Sequence, residues 1–356
     1  MRVAIAAGGT GGHVFPAVAV AAALLGRNDS VLWIGRPGSL EETEAKTLGA
    51  EFVGISLSGL KRKLCWANVK ALLEFIRGRG TAKRVLTAFD PAVLFALGSY
   101  VSAPVISAAL ALRVPVALHE QNVVPGLVVN TYANRVTALL LTKPLQGEPV
   151  RENARVVGMP IRTDIQIERT DQWYLELGLD PGKKTLFVFG GSQGAKTFCE
   201  TAAELGRIWE QDRPTWQIFL QTGARNYEWA KTLITTGNII PIAHISEMGK
   251  AYACADVIVA RSGAVSCAEL EIVGKPAVLV PYPYATRDHQ RLNAEAFLAT
   301  HEGHLVSEES LSADELDRIL GELSEEYPVG TPSDEAALPV ARIIEVLDEL
   351  GLGGER

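Results

Sequence analysis

The sequence predicts an α/β protein built from two doubly wound, Rossmann-like domains that face a cleft. The chain opens with an apolar strand, a glycine loop, a helix and a second strand, and this order of elements returns in the second half. A turn-rich passage separates the two occurrences. The length of 356 residues also exceeds what one ordinary core fills, which favours two domains.

The first occurrence of this motif lies at the N-terminus. Apolar residues predict strands at 2–7 and 30–35, and the segment from Pro16 to Leu25 has the pattern of an apolar helix. The glycine loop from Gly8 to His13 joins the first strand to that helix. A βαβ unit of this kind is the usual beginning of a parallel sheet.

The second occurrence begins at the strand Lys184 to Phe189, which continues into the glycine loop Gly190 to Ala195 and a further helix. The passage 143–163 is rich in proline and glycine, and we place the domain boundary in it. The predicted domains are 1–158 and 159–356, and the last helix could pack back on the first domain. Further strands are predicted at 115–118, 136–141, 217–221, 257–260 and 277–280.

Composition excludes several classes of function. The net charge of −7 and the pI near 5.5 argue against a general nucleic-acid binder, which needs a broad positive surface. The four cysteines are far apart and form no metal-binding pattern, so we expect free thiols in a reducing cytoplasm. They are Cys65, Cys199, Cys254 and Cys267.

The sequence shows no pattern of export or of membrane insertion. The apolar N-terminal segment 3–7 is too short for a secretion signal. The longest apolar stretch, 101–118, is interrupted by Pro104, Arg113 and Pro115, which favours a buried helix and strand over a membrane span. Any membrane contact is therefore expected to be peripheral.

The first glycine loop follows a strand and opens a helix, so its backbone N–H groups can approach an anion or a sugar closely. The alternative is a turn whose glycines serve only tight packing of the helix on the strand. A dinucleotide-binding motif is disfavoured, because Val14 stands where a third glycine is needed and Arg36 follows the second strand where an acidic residue is expected.

Longer motifs make the resemblance to a known family specific. In chain order they are GGTGGHVFPA from Gly8, GSYVSAP from Gly98, HEQN from His119, GMPIRTD from Gly158, GGSQGA from Gly190, RSGAVSCAEL from Arg261 and DHQRLNA from Asp288. In this order they resemble the MurG family of glycosyltransferase family 28 over nearly the whole chain outside the C-terminal tail. The chain departs from the family at Ser99 and Ala103, which replace common glycines, and at Cys267 and Ala268, where other residues are frequent.

This resemblance implies a GT-B fold and an activity. Members transfer N-acetylglucosamine (GlcNAc) from UDP-GlcNAc, with inversion, to the C4 hydroxyl of N-acetylmuramic acid (MurNAc) in lipid I, which gives lipid II for peptidoglycan. The acceptor is expected mostly on the N-terminal domain and the donor mostly on the C-terminal one. The resemblance also implies a peripheral protein on the cytoplasmic face of the inner membrane, with UDP-GlcNAc, lipid I and an anionic membrane surface as its partners.

The donor site is expected around the helix that follows the strand 257–260. Ser262 and Gly263 let this helix begin at once, so that its N–H groups and positive dipole end suit a diphosphate. The resemblance makes Glu269 the ligand of the ribose hydroxyls; the alternative is a solvated helix carboxylate. It assigns further donor contacts to Thr10, Gly11, Gly12, Asn122, Arg162, Ser192, Ile245, Ala264, Val265, Ser266, Cys267, Ala268 and Gln290.

An inverting transfer needs a base for the proton of the acceptor hydroxyl. His13 follows the first glycine loop, and the ordinary pKa of histidine suits the task. The alternatives are that His13 only hydrogen-bonds the loop or substrate, and that His119 or Glu120 is the base or supports it. No two Asp residues stand at i and i+2, so a metal-holding DxD motif is absent, and no cofactor or obligatory metal is expected.

The segment 61–84 is the candidate membrane surface. It carries eight Lys or Arg residues against one acidic residue, Glu74, with apolar residues between them. Lys61, Lys63 and Trp66 are the expected membrane contacts, and Tyr100 in the second glycine loop is expected near the acceptor. The alternative is an amphipathic helix packed on its own domain with its basic residues in water.

Two other functions remain open at this point. A UDP-GlcNAc 2-epimerase would use the same fold and donor without an acceptor. A nucleotide-sugar-responsive membrane scaffold would bind the donor without turnover.

Overall fold

The computed structural model describes residues 1–59, 66–145, 151–161, 165, 168–191, 193–285, 288–323 and 333–353, with the backbone alone at 66, 67 and 333–336. The chain divides into two compact units. The first unit comprises Met1–Arg162 and Ala337–Arg356, and the second comprises Thr163–Ala336. The division after Arg162 lies four residues beyond the predicted boundary (162 against 158), and the last helix belongs to the first unit.

The first unit contains a parallel sheet with helices between its strands. The strands are β1 (Arg2–Ala6), β2 (Ser30–Gly35), β3 (Glu51–Gly54), β4 (Val93–Leu97), β5 (Val116–Glu120), β6 (Ala138–Leu141) and β7 (Ala154–Val156). Their order is β3-β2-β1-β4-β5-β6-β7, and every pairing is parallel. The helices are α1 (Gly11–Gly26), α2 (Leu40–Thr47), α3 (Trp66–Phe89), α4 (Ala103–Leu112) and α5 (Leu127–Tyr132).

The second unit repeats this architecture. Its strands are β8 (Lys184–Phe189), β9 (Trp216–Gln221), β10 (Ile239–Ile242), β11 (Val257–Ala260), β12 (Ala277–Leu279) and β13 (Gly303–Leu305). Their order is β10-β9-β8-β11-β12-β13, again parallel throughout. The helices are α6 (Asp171–Glu176), α7 (Lys196–Asp212), α8 (Tyr227–Leu233), α9 (Met248–Cys254), α10 (Ala264–Val273), α11 (His289–Leu298) and α12 (Ala313–Glu322).

The C-terminal helix α13 (Ser333–Leu352) completes the first unit. Its residues Ile343 and Leu347 are fully buried and join the core formed by β1, β2, β4 and α1. Asp348 accepts two hydrogen bonds from Arg27, at 2.8 and 2.9 Å, at the end of α1. The helix is therefore part of this core and not a loose tail.

Both sheets have the Rossmann order, and the predicted α/β class is confirmed. The central strands are buried on both faces because helices cover both, which explains their continuous apolar sequence. The predicted strands 30–35, 184–189 and 257–260 have the observed bounds. The stretch 101–118 forms α4 and the beginning of β5, and no helix among the described residues is long and apolar enough to cross a membrane.

Each sheet has a switch point where the strand order reverses, between β1 and β4 and between β8 and β11. Ligands of open α/β sheets bind outside the carboxyl ends of the strands at such points. The first glycine loop follows β1, and the second glycine-rich segment, from Gly98, follows β4. The loops from Gly190 and from Arg261 occupy the corresponding places in the second unit.

Candidate functional site

The loop between β1 and α1 is shaped by side chains that occupy the space above its glycines. A Cβ atom at Gly8 would overlap the carboxylate of Glu41, which is buried on α2. Gly9 has a φ of +98°, and a Cβ there would lie 3.2 Å from the ring of Tyr100. Packing thus requires glycine at both positions, while Thr10 and Gly12 at the end of the loop are exposed.

His13 lies in the first turn of α1, where its backbone N–H bonds the carbonyl of Thr10 at 3.0 Å. Its ring Nδ1 is 3.0 Å from the Thr10 hydroxyl, and the ring is half-buried. When Nδ1 carries the ring proton and donates it to this hydroxyl, Nε2 is the basic nitrogen. In that tautomer a proton would be accepted at Nε2.

His119, the alternative base, is enclosed at the end of β5. Its exposure is 0%. Its Nε2 donates to the Gly158 carbonyl at 3.0 Å, and its Nδ1 accepts from the Gln121 amide at 3.2 Å. Burial, assisted by the positive charge of His13 and opposed by the hydrogen bond to Gly158, lowers the pKa of His119 to about 4. Both nitrogens are engaged, so His119 supports the loop and is not placed to take a substrate proton.

Glu120, the other alternative, organises the segment that follows β5. Its carboxylate is buried and accepts hydrogen bonds from the Asn122 backbone at 3.0 Å, the Asn122 amide at 3.1 Å and the Gly126 backbone at 2.8 Å. Burial raises the pKa of this carboxyl, and these hydrogen bonds oppose the change. Glu120 thus orients Asn122, which the resemblance assigns to the sugar site.

Tyr100 lies beside the first glycine loop. Its ring faces Gly9, and the guanidinium of Arg36 stands 5.9 Å from the ring centroid. The Nε of Arg36, which follows β2, also donates to Glu41 Oε1 at 3.4 Å. Arg36 therefore contacts both of the side chains that lie over the first glycine loop. Sequence reasoning missed Glu41, although glycines at the ends of both β1 and β2, Gly8 and Gly35, signalled that something large lies above them.

In the second unit, the glycines of the loops after β8 and β9 lie against neighbouring main chain, not against side chains. Gly194 has a φ of +67°, and a Cβ there would overlap the carbonyl oxygen of Thr222. Gly223 has a φ of +77°, and a Cβ there would overlap the carbonyl oxygen of Gln193. The segments after β8 and β9 therefore lie directly against each other. Two predicted donor residues, Ser192 in this unit and Arg162 at the end of the first unit, lie outside the described residues.

The helix α10 begins three residues after Arg261, which directly follows β11. Gly263 is its N-cap and offers no side chain, and the first intrahelical bond runs from Cys267 N to the Gly263 carbonyl at 2.9 Å. An α-helix leaves its first N–H groups without intrahelical partners, here those of Ala264, Val265 and Ser266. N–H groups in this position can receive an anion, and these three half-buried residues lie at the switch point.

Glu269 lies on α10 and is only 6% exposed, so the alternative of a solvated carboxylate is wrong. The hydroxyl of Tyr252, on α9, donates a hydrogen bond of 2.7 Å to its Oε2. Cys267 is buried on the same helix, and Ala268 is half-buried. Sequence reasoning missed Tyr252, because nothing in the spacing of 252 and 269 predicts their contact.

The neighbouring loops hold the remaining predicted donor residues. Ile245 is buried in the segment between β10 and α9. Gln290, on α11, accepts a hydrogen bond of 2.8 Å from the backbone of Tyr282 through its side-chain oxygen. The amide of Asn293, one turn later, donates to the Ser262 carbonyl at 3.3 Å. Helix α11 thus ties the loop after β12 to the start of α10.

Arg261 is a further residue that sequence reasoning did not assign. Its guanidinium donates to the carbonyls of Val280 and Pro281 at 3.3 and 3.1 Å and pairs with Glu308 at 2.8 Å. The same group stacks on the ring of Phe198 at 4.8 Å. Its charge is therefore committed to holding the ends of β11 and β12, which fixes the starting point of α10.

Helix α3 presents an apolar strip to solvent. Val69, Leu72, Leu73 and Ile76 are 48–58% exposed and stand at i, i+3, i+4 and i+7, so they share one face. We call these four residues the α3 patch. Ala71, Gly78, Ala82 and Leu86 form the opposite, buried face. Of the predicted membrane contacts, Lys61 and Lys63 lie outside the described residues, and Trp66 begins α3 without a described side chain.

Among the described residues, no group of three His, Cys, Asp or Glu side chains could hold a metal ion. Cys199, Cys254 and Cys267 are buried and form no disulfide, as predicted, and Cys65 lies outside the described part of the chain. Burial raises the pKa of both Cys199 and Cys254 to about 11, so neither is a ready nucleophile.

Comparison with known proteins places this site in a family. Residues 3–141 match the model of the glycosyltransferase family 28 N-terminal domain, and residues 185–347 match that of the C-terminal domain. The chain is 34% identical to the UDP-N-acetylglucosamine--N-acetylmuramyl-(pentapeptide) pyrophosphoryl-undecaprenol N-acetylglucosamine transferase of Bacillus subtilis, over 98% of this chain and 99% of the relative. The enzyme of the same name from Halothermothrix orenii is 34% identical over 91% and 90% of the two chains.

Solved structures agree with the fold. The crystal structure of Acinetobacter baumannii MurG has a TM-score of 0.72 and 25% identity and covers 98% of both chains. A UDP-GlcNAc 2-epimerase from Neisseria meningitidis has a TM-score of 0.68 at 14% identity, over 98% of this chain and all of the other, which shows a common fold alone. The two matched domains, the curated relatives and the paired Rossmann-like sheets agree that the chain belongs to glycosyltransferase family 28, with the GT-B fold and the MurG enzymes among its relatives.

Proposed function

We propose that this chain transfers GlcNAc from UDP-GlcNAc to the C4 hydroxyl of MurNAc in lipid I, with inversion, and so makes lipid II for the peptidoglycan of the cell wall. The printed activity of the curated relatives supports this reaction. The single observation that carries the donor half is α10, whose uncapped first turn is followed by the buried carboxylate of Glu269. A nucleoside diphosphate needs both an anion site and a partner for its ribose diol.

The donor binds in the second unit. The N–H groups of Ala264, Val265 and Ser266 receive the diphosphate, and Glu269 accepts hydrogen bonds from the ribose hydroxyls. The loop containing Ile245 offers backbone groups to the uracil, and Gln290 offers its amide to the GlcNAc hydroxyls. Ser192 and Arg162 contact phosphate by family resemblance.

The acceptor binds in the first unit, where Tyr100 and the first glycine loop lie together. Thr10, Gly11, Gly12 and Asn122 are the contacts of this unit with the GlcNAc of the donor. His13 Nε2 takes the proton of the C4 hydroxyl as its oxygen attacks C1 of GlcNAc. The new C1–O bond forms on the face opposite to UDP, and the bond from C1 to the phosphate oxygen breaks. The electron pair leaves with UDP, whose charge the first turn of α10 and Arg162 stabilise, without an obligatory metal or cofactor.

A direct assay separates this proposal from its rivals. The chain is incubated with UDP-GlcNAc, with and without a lipid I analogue, and both UDP and the sugar are analysed. Release of UDP that depends on the acceptor supports transfer. A change of the sugar without acceptor identifies a 2-epimerase, and binding without either reaction identifies a scaffold.

The role of His13 is tested by His13→Ala. A base acts in the transition state, so kcat should fall by about 10²- to 10⁴-fold while the KM for UDP-GlcNAc changes little. His301→Ala is the matched control, because His301 is also half-buried but lies in the second unit, on the loop after α11. An unchanged kcat in the His13 variant would remove the residue from this role.

The role of Glu269 is tested by Glu269→Ala and by calorimetry with UDP-GlcNAc and its 2′-deoxyuridine analogue. Loss of hydrogen bonds to a charged group should weaken UDP-GlcNAc binding by about 1.5–3 kcal/mol, or roughly ten- to a hundredfold. The preference for ribose over 2′-deoxyribose should largely vanish. Glu271→Ala removes a carboxylate two residues along the same helix and should keep that preference. If Glu269→Ala keeps it as well, the donor site has been assigned wrongly.

We also propose that the first unit binds the cytoplasmic face of the inner membrane as a peripheral protein. The support is the α3 patch, which adjoins exposed basic residues of the same helix such as Lys70 and Arg77. Apolar side chains beside basic ones bind anionic lipid through both burial and charge.

Replacing Leu72, Leu73 and Ile76 together with Ser should weaken sedimentation with anionic vesicles and spare activity on a water-soluble acceptor. Replacing Lys61, Lys63 and Trp66 should act in the same direction. The matched control exchanges three exposed leucines elsewhere, Leu127, Leu175 and Leu352, for Ser. Equal sedimentation of the patch variant and the parent would contradict the membrane role.

A further inference from the structure

Tyr252 is a fully buried tyrosine whose hydroxyl has a defined task. It lies on α9 with 0% exposure, and its hydroxyl donates to Glu269 Oε2 at 2.7 Å. A buried hydroxyl costs free energy unless it is hydrogen-bonded, and phenylalanine would fill the same space without that cost. The hydroxyl is therefore explained by the carboxylate that it contacts.

The ring of Tyr252 is held in one position by the first strand of its sheet. The rings of Phe187 and Phe189, both on β8, meet it nearly edge-on, with centroids 5.9 Å away in each case. Aromatic pairs in this geometry attract each other beyond their apolar contact. Packing against β8 consequently fixes the position of the Tyr252 hydroxyl.

The backbone of Tyr252 is fixed as well. The ammonium group of Lys275 donates to the carbonyls of Tyr252, Ala253 and Ala255 at 2.6, 2.7 and 2.6 Å. These carbonyls lie at the C-terminal end of α9, where a helix lacks intrahelical donors and favours a cation. Lys275 follows directly on α10, so it ties the helix that carries Tyr252 to the helix that carries Glu269.

We propose that Tyr252 is a positioning residue for nucleotide recognition, which sets the orientation of the Glu269 carboxylate toward the ribose diol. The inference rests on the proposed function of Glu269. A carboxylate rotates readily about its last torsion. A hydrogen bond to one oxygen restrains that rotation, while the lone pairs of a carboxylate serve several hydrogen bonds at once. Binding then requires no reorientation, which is the source of affinity in a preorganised site.

The test is Tyr252→Phe, which keeps the ring and removes the hydroxyl. Loss of one hydrogen bond should raise the KM and Kd for UDP-GlcNAc between about two- and tenfold, with kcat little changed. The preference for UDP-GlcNAc over its 2′-deoxyuridine analogue, measured by calorimetry, should fall by the same factor. A hydroxyl that only stabilised the fold would leave this preference intact.

Tyr174→Phe is the matched control, because Tyr174 is another buried tyrosine of the same unit, on α6. It should keep both the KM and the ribose preference. Thermal unfolding of both variants shows whether either loses stability. If Tyr252→Phe keeps the parent's ribose preference, the positioning role is overturned, even where its unfolding temperature falls.

A double-mutant cycle with Glu269→Gln distinguishes this inference from the function beneath it. The two changes should be non-additive in binding free energy, because both act through one hydrogen bond. If the Glu269 variant loses the ribose preference while Tyr252→Phe keeps it, the inference about Tyr252 is overturned and the proposed function stands. A parent that shows no ribose preference, with a Glu269 variant that binds equally well, overturns both.

Discussion

The two glycine loops follow the first strand of each Rossmann-like sheet, yet the space above their glycines is filled in different ways. In the first unit, side chains fill it: Glu41 lies over Gly8, and Tyr100 lies over Gly9. In the second unit, main chain fills it: the Thr222 carbonyl lies over Gly194. The same local sequence pattern therefore serves two kinds of packing.

This difference separates an adjustable loop from a fixed one. A side chain can change rotamer when a neighbour grows, whereas a carbonyl in a backbone contact moves only with its whole segment. The first unit also supports its switch point with buried polar side chains, among them His119 and Glu120, so its stability depends on pH. The second unit instead holds the segments after β8 and β9 together by main-chain contact, which suits the proposed diphosphate site, whose N–H groups would have to keep their positions.

The largest effect is expected for Gly194→Ala. The new Cβ would overlap the Thr222 carbonyl and lie 2.8 Å from the Gly223 nitrogen, and the φ of +67° is unfavourable for alanine. The free energy of unfolding should fall by about 4 kcal/mol or more, the range of severe steric and backbone defects. Chemical denaturation with hydrogen exchange would assign the loss to the second unit. A loss below about 1 kcal/mol would show that the two loops separate easily.

The next effect concerns acid and the first unit. His119 has a folded-state pKa of about 4, below its ordinary 6.5, so the unfolded chain binds the proton first as pH falls. Stability due to this site is complete above pH 6.5 and is lost between pH 6.5 and about 4, by about 3 kcal/mol in total. Denaturation at pH 7 and pH 4.5 should show this loss in the parent. His119→Gln should have a smaller dependence on pH, and an equal dependence in both proteins would contradict the assignment.

A smaller effect is expected for Gly8→Ala, because its obstacle is a side chain. Overlap with the Glu41 carboxylate should cost about 1–3 kcal/mol, the usual range for an overpacked site. In a Glu41→Ala background, which removes the obstacle, the same change should cost much less. Urea denaturation of the four proteins gives the coupling. Additive effects would mean that Glu41 is not what makes glycine necessary at this position.

Local pattern predicted the strands of both glycine motifs because short apolar runs bounded by glycine leave few alternatives, as at 184–189 and 257–260. It missed β4, a fully buried central strand, because the five apolar residues Val93–Leu97 follow a long helix with only a brief break. Helix α1 begins at Gly11 and not at the predicted Pro16, since loop glycines can adopt helical angles.

In the candidate site too, some residues could be predicted from the sequence and others could not. Residues in ordered motifs, such as Glu269 and Asn122, could be named from resemblance to the family. Their supports could not, because Tyr252 reaches Glu269 across 17 residues, and helix α1 and strand β2 lie between Gly8 and Glu41 in the chain. Such contacts depend on tertiary packing, which neither periodicity nor spacing encodes. The α3 patch is intermediate: its helix could be predicted, but which apolar face remains exposed could not.

The smallest effect isolates what backbone contact adds within one loop. Gly191 has a φ of +78°, similar to that of Gly194, but a Cβ there would meet nothing within 4 Å. Gly191→Ala should therefore cost only the conformational strain of a left-handed alanine, about 1–2 kcal/mol. Gly26→Ala, at the end of α1 with open space and no positive φ, should cost nothing or slightly stabilise the fold. The difference between Gly194→Ala and Gly191→Ala then measures the contact with the backbone of Thr222 and Gly223. If the two variants lose equal stability in the same denaturant series, positive φ accounts for both, and the contrast between the two glycine loops would rest on conformation and not on what lies above them.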